Sequence, residues 1–186
     1  MADSSIDKET AIVSLLRDGG PKAFKALYCA YAGYLSGVCS RYLSDSDDVK
    51  DVLHDSFLKI FAASRSFQYR GPGSLKAWLT RIVVNESIMF IKREYRAEIV
   101  PITDDMQEKA DEEPSLAGIP VEVLHRMIRE LPPGYRTVFN LYVFEGKSHK
   151  EIAVMLDIKE ASSASQFHRA KALLATRIKT YQAKHP

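Results

Sequence analysis

Residues 65–81, RSFQYRGPGSLKAWLTR, set Phe67, Tyr69 and Trp78 among Arg65, Arg70, Lys76 and Arg81, around the turn Gly71-Pro72-Gly73. Cations neutralise phosphates and aromatic faces stack on unpaired bases, so this mixture suits the grip of a single nucleic-acid strand. Phe67 and Trp78 also suit a core, and for Trp78 the core is the better assignment. A second stretch, SHKEIAVMLDIKEASSASQFHRAK over residues 148–171, reads as two helices and a turn. Ser148 and Glu151 form a capping box, and Ile152, Met155 and Leu156 share one face. On the second helix Phe167, Ala170 and Leu174 fall on one side and Ser162, Ser165 and Arg169 on the other, with Gln166 and His168 at the flanks. A small, polar, mildly basic face of this kind fits a major groove. There Arg favours guanine and Gln favours adenine, while Arg169 equally suits a phosphate.

Charge is sorted as well as aromatic character. From Asp45 to Asp55 there are five aspartates and one lysine, whereas from Lys59 to Arg96 there are eight Lys+Arg and two glutamates. Taken alone, Asp48, Asp51 and Asp55 read as a solvated helix face. Asn85 has two readings of equal weight: a donor and acceptor for a base edge, or a partner for a buried neighbour. His168 reads as a surface or phosphate-contact residue. No nucleophile and base, phosphate-cradling glycine loop or metal-ligand cluster is present, so neither catalysis nor a cofactor is expected.

The elements that must carry these residues are all helical, and no stretch reads as a strand. Phe24, Leu27, Tyr28, Tyr31, Leu35, Val38 and Tyr42 recur at helical spacing after Gly19-Gly20-Pro21. Val49, Val52, Leu53, Phe57, Ile60 and Phe61 predict a second helix. Leu75, Trp78, Leu79, Ile82 and Val83 predict a third, with Ser74 as its N-cap. Pro120 opens another helix that ends at Leu131, a further one runs from about Gly134 to Glu145, and the pair at 148–171 follows.

The 186 residues, 46% of them hydrophobic, can bury one core or two small ones. Net charge divides the chain: residues 1–96 carry 14 Lys+Arg against 11 Asp+Glu, residues 97–119 carry 1 against 7, and residues 120–186 carry 11 against 6. The acidic middle, with Pro101, Pro114 and Gly118, predicts a linker between two basic domains, 1–96 and 120–186. Cys29 and Cys39 lie ten positions apart in one predicted helix, too far to bridge, which fits a reducing compartment. With no secretory leader and no apolar run long enough to span a bilayer, a soluble cytoplasmic protein without membrane insertion is expected.

The run DDVKDVLHDSFLKIFAASRSFQYRGPGSLKAWLTRIVVNESIMFIKREYR, followed by LPPGYRTVFNLYVFEGKSHKEIAVMLDI and SQFHRAKALL, resembles the extracytoplasmic-function (ECF) sigma factors of the sigma-70 family. The resemblance implies that residues 1–96 are region 2, which binds core RNA polymerase and melts the −10 element, and that residues 120–186 are region 4, which reads the −35 element. It assigns Asp48, Asp51, His54, Asp55 and Phe57 to docking on the clamp helices of the largest polymerase subunit. Residues 66–73, including Phe67, Tyr69 and Arg70, would capture a flipped −10 base. Lys76, Arg81, Asn85 and Arg93 would follow the nontemplate strand. Ser162, Ser165, Gln166 and Arg169, with Lys147 and Lys150, would bind the −35 duplex. The polymerase flap, for region 4, and an anti-sigma factor are the other implied partners.

Departures from the family pattern carry their own expectations. Asp157 stands where Gly is usual and Lys159 where a capping Ser is common, so the second helix is expected to start around Ser162. Ser163, Ala164 and Gln166 replace Val, Lys and Arg, which predicts weaker phosphate contact and more reliance on polymerase, Lys147 and Lys150. Met89 replaces an Asp, removing one expected base contact. Two other classes fit parts of the sequence: a helix-turn-helix regulator that ignores polymerase, and a helical protein-binding adaptor. The adaptor predicts no salt-dependent DNA affinity, and neither explains an acidic helix beside a basic aromatic loop.

Overall fold

The computed structural model of the chain describes residues 3–96 and 115–185, and these form helices and turns with no strand among them. They group into two compact units, residues 1–40 with 45–87 and residues 41–44 with 88–186. Most of the expected linker, residues 97–114, lies outside the described residues.

The first unit opens with a helix the sequence pattern did not announce, α1 (Asp3–Asp18), which buries Glu9, Ile12, Val13 and Leu16 at helical spacing. Gly19 and Gly20 stop it, both at positive φ, and Pro21 starts α2 (Pro21–Cys39) in the position where its missing N–H costs nothing. Helix α3 (Ser46–Ala63) is capped by Asp45, whose carboxylate accepts from the N–H groups of Asp47 and Asp48 at 2.8 and 3.2 Å. One residue of the acidic run is therefore structural. A short 3-10 turn (Ser64–Ser66) leads to the loop before α4 (Ser74–Glu94). Leu27, Leu35, Ile60, Leu75 and Leu79 are almost fully buried, each contributing about 1.5–3 kcal/mol of transfer free energy. Cys39 is buried beside Ser87 (Sγ to Oγ 3.6 Å), and burial pushes its thiol up to about 11, while Cys29 on the same helix is exposed; both are unpaired by disulfides.

The second unit takes residues 41–44 and the last turns of α4, and is otherwise built from α5 (Val121–Arg129), α6 (Pro133–Val143), α7 (His149–Leu156) and α8 (Glu160–Lys184), with α6 and α7 both packed on α8. Ile119, read as linker, is buried with Met127 and Ile178, so packed structure begins at least one residue before Pro120. Two guanidiniums close the C-terminal end of α5. Arg136 donates to the carbonyl of Arg129 at 2.6 Å, and Arg177 donates to those of Met127 and Glu130 at 2.7 and 3.1 Å. Cations there satisfy orphan carbonyls and oppose the negative end of the helix dipole.

Candidate nucleic-acid interface

The loop of residues 66–73 is shaped at both ends. Ser64 and Ser66 fold their hydroxyls back onto the carbonyls of Phe61 and Ala63, at 2.7 and 2.8 Å, and Phe67 leaves the 3-10 turn in an extended conformation. Its half-buried ring meets Trp78 at 4.9 Å between centroids, so the two aromatics support each other and leave Gln68 and Arg70 exposed and Tyr69 half-exposed. Gly71 and Gly73 adopt φ of 114° and 84°, which side chains rarely tolerate. Ser74 is not the N-cap: it is the first helical residue, and its hydroxyl accepts from the N–H of Arg70 at 3.2 Å. The cap comes instead from Glu9, which accepts from the N–H groups of Gly73 and Leu75.

Along α4, Lys76 sits over the ring of Tyr34 at 4.2 Å, and Arg81, Asn85 and Met89 follow one another at four-residue spacing on an exposed face. Exposure of Asn85 removes the reading in which it satisfies a buried neighbour. Arg93 is exposed too, its Nε bonded to Glu94 at 2.6 Å and its guanidinium 5.3 Å from the Phe90 ring centroid.

On α3, Asp51, His54 and Asp55 are exposed, Asp48 is half-buried, and Asp47 pairs with Lys50 at 2.7 Å. Phe57 is only 5% exposed and packs against Phe24 and Tyr28, with ring centroids 6.2 and 4.9 Å away. This corrects its assignment to an outward docking surface: it fixes α3 on α2 from within. An apolar side chain that does face outward is Leu58, 56% exposed and next along the stripe from His54 and Asp55. Its signal was an apolar residue on the aspartate side of the helix, one position past the buried stripe.

In the second unit, Ser148 caps α7 and Glu151 returns the bond to the Ser148 N–H at 2.9 Å. The Ser148 N–H, its hydroxyl and the Lys147 ammonium together hold the Glu151 carboxyl down at about 2. Lys147 is thereby engaged with Glu151 at 3.1 Å, whereas Lys150 is exposed. Asp157 ends α7 in the left-handed conformation, φ 57° and ψ 49°, doing what Gly does elsewhere because Asp tolerates that region.

Helix α8 begins at Glu160, not around Ser162: the Ser163 N–H already bonds to the carbonyl of Lys159, at 3.1 Å, and no side chain caps the end. Ser163, Gln166 and Ala170 form its buried face. Gln166 is 1% exposed, which corrects its assignment as a base reader, because the inward face is rotated by about one residue from the one drawn through Phe167. Exposed instead are Ala161, Ala164, Ser165 and His168, flanked by half-buried Ser162 and Arg169. Sequence reasoning also missed His149. Its Nδ1 lies 3.0 Å from the Ser163 hydroxyl and its ring stacks on Tyr142 at 4.8 Å, while Tyr142 lies 4.3 Å from Phe167. These contacts set the angle at which α8 leaves the turn. Among the described residues no helix is long and apolar enough to cross a membrane, and no group of three His, Cys, Asp or Glu could hold a metal ion.

An all-helical chain with a basic aromatic loop in one unit and a capped helix-turn-helix in the other matches two family models. Sigma-70 region 2 covers residues 27–97, and Sigma-70, region 4 covers residues 122–174, together more than half of the chain. The chain belongs to the sigma-70 family. Among curated relatives, the ECF RNA polymerase sigma-E factor of Haemophilus influenzae is 28% identical, over 96% of this chain and 98% of that one. The RNA polymerase sigma-H factor of Pseudomonas aeruginosa is 26% identical, over 89% and 91%. The sigma-E factor of Escherichia coli is also 26% identical, over 91% and 94%. Within the family the chain is a sigma factor of the ECF type, which directs core RNA polymerase to promoters and starts transcription.

Proposed function

We propose a division of labour along the chain: residues 1–96 as region 2, residues 97–119 as tether and residues 120–186 as region 4. Asp48, Asp51, His54, Asp55 and Leu58 dock on the clamp helices of polymerase, with Phe57 holding the stripe in place. Aspartates steer the encounter with a basic coiled coil, and Leu58 supplies apolar area once the surfaces meet. Tyr69 and Arg70 with the loop around them take up a flipped −10 base, whose extraction costs a few kcal/mol that stacking and hydrogen bonds must offset. Arg81 and Asn85 follow the nontemplate strand. Ser165, Ser162, Arg169 and Lys150 meet the −35 duplex, and the flap of polymerase supports region 4 there. The protein works in the cytoplasm by binding alone, polymerase performing the catalysis, and an anti-sigma factor silences it by covering the docking stripe or the DNA-facing surfaces.

The observation that carries this reading is the outward stripe Asp51, His54, Asp55 and Leu58 on α3, in the same unit as the basic aromatic loop. The test adds the protein to bacterial core polymerase and selects from a library of random upstream sequences, comparing wild type with Asp51→Arg. Wild type is expected to bind core and recover paired −10 and −35 sequences. The charge reversal should weaken core binding by at least about tenfold, since like charges facing each other cost several kcal/mol. Binding of duplex DNA alone, indifferent to polymerase, would replace this reading with that of a stand-alone regulator.

A further inference from the structure

Helix α1 lies outside the residues matched by the region 2 family model, yet it is tied to the loop at 66–73 from both sides. On one side it packs on the 3-10 turn Ser64–Ser66, with the Arg65 guanidinium against Gly19 at its end. On the other side Glu9, 7% exposed, spends both carboxylate oxygens on the far end of the loop: Oε2 accepts from the Gly73 N–H at 2.7 Å and Oε1 from the Leu75 N–H at 2.8 Å. A buried carboxylate is costly unless hydrogen-bonded, and the positive end of α4 with two charge-assisted bonds offsets that cost. The nearby Ser74 hydroxyl is engaged elsewhere, accepting from the Arg70 N–H. Burial first, and then the charge of Glu9, raise the phenol of Tyr31 above its ordinary range.

We infer that Glu9 is a positioning residue for −10 recognition: through it, α1 holds Gly73 and the first turn of α4 so that the loop keeps the shape that receives an unpaired base. The inference rests on the reading of residues 66–73 as the −10 loop. Glu9 touches no DNA itself. It replaces the flexibility of two glycines with a fixed anchor, so that binding a base does not have to order the loop at the same time.

The test uses full-length protein assembled with core polymerase and, as probe, the nontemplate single strand of the promoter that wild type selects, against a scrambled strand of equal composition. Variants are Glu9→Gln, Glu9→Asp, Glu9→Ala and, as a loop control, Tyr69→Ala with Arg70→Ala. Glu9→Gln is expected to lose about tenfold in discrimination between the two strands, the worth of one charge-assisted hydrogen bond. Glu9→Ala should lose more and Glu9→Asp should recover part. Affinities for core polymerase and for −35 duplex should stay within about twofold in the Gln variant. A parallel loss of core, duplex and strand binding would mean that Glu9 serves folding alone and would overturn the inference. So would unchanged discrimination in Glu9→Gln while the loop control loses it. If the loop control itself discriminates like wild type, the −10 reading of the loop fails and the inference goes with it.

Discussion

The helix-turn-helix is assembled from sequence neighbours, whereas the loop at 66–73 is anchored by a carboxylate 64 and 66 residues away. In the former, Ser148 and Glu151 cap α7 within one turn, Asp157 bends the chain with its own backbone, and His149 reaches Ser163 across 14 residues. Such contacts form as soon as the segment does. The loop instead waits for α1 to dock, because closing a long stretch of chain must precede the contact that rewards it. One proposed DNA-facing site is thus self-contained and the other depends on a distant element, so the two should fail separately.

Breaking the self-contained site gives the largest expected effect. Leu141 is fully buried in α6, and Leu141→Ala should cost about 3 kcal/mol through lost burial and the cavity left behind. Thermal melting followed by circular dichroism should show the second unit destabilised, with −35 duplex binding lost and −10 strand capture kept. Loss of both activities together would show that the sites are not separable. A smaller effect is expected on the other side. An added Cβ at Gly73 meets nothing within 4 Å, but φ there is 84°, so Gly73→Ala should cost about 1–2 kcal/mol from the backbone alone. Strand discrimination should fall while duplex affinity holds; a neutral result would mean that the loop does not need its left-handed corner.

The smallest effect sharpens the comparison by pH. The Glu151 carboxyl is held at about 2 against an ordinary 4.5, so its charged form stabilises the capping box. That contribution is complete above pH 4.5 and fades as pH falls toward 2. The difference in melting temperature between wild type and Glu151→Gln should therefore be flat above pH 4.5 and shrink below it. A difference independent of pH would show that the box does not depend on the charge of Glu151.

The same contrast governs what was legible in the sequence. Periodicity announced α2, α3 and α4, and the capping box announced α7, because these signals lie within a few residues of the structure they cause. Asp157 read as a departure, yet it adopts the conformation the missing Gly would have supplied. Gln166 was assigned to the outer face and is buried, since a wheel anchored on a few apolar residues leaves its rotation uncertain by about one position, or 100°; Phe57 is buried as its place in the apolar stripe predicts, and only the family resemblance gave it to docking. Gln166 also breaks the rule that polar side chains mark the surface. The role of Glu9 had no sequence signal: its partners are backbone groups on another helix, and backbone groups leave no trace in residue type. Asn85 was balanced between two readings until its exposure removed one.

The two thiols of α2 differ in a way that serves the experimenter. Only a thiolate attacks a maleimide, and with its thiol at about 11 Cys39 presents roughly one thiolate in ten thousand at neutral pH, behind packed side chains. Cys29 is open to solvent. The native chain therefore carries a ready-made single attachment point for a fluorophore on α2, where arrival on polymerase could be followed by light without altering one residue.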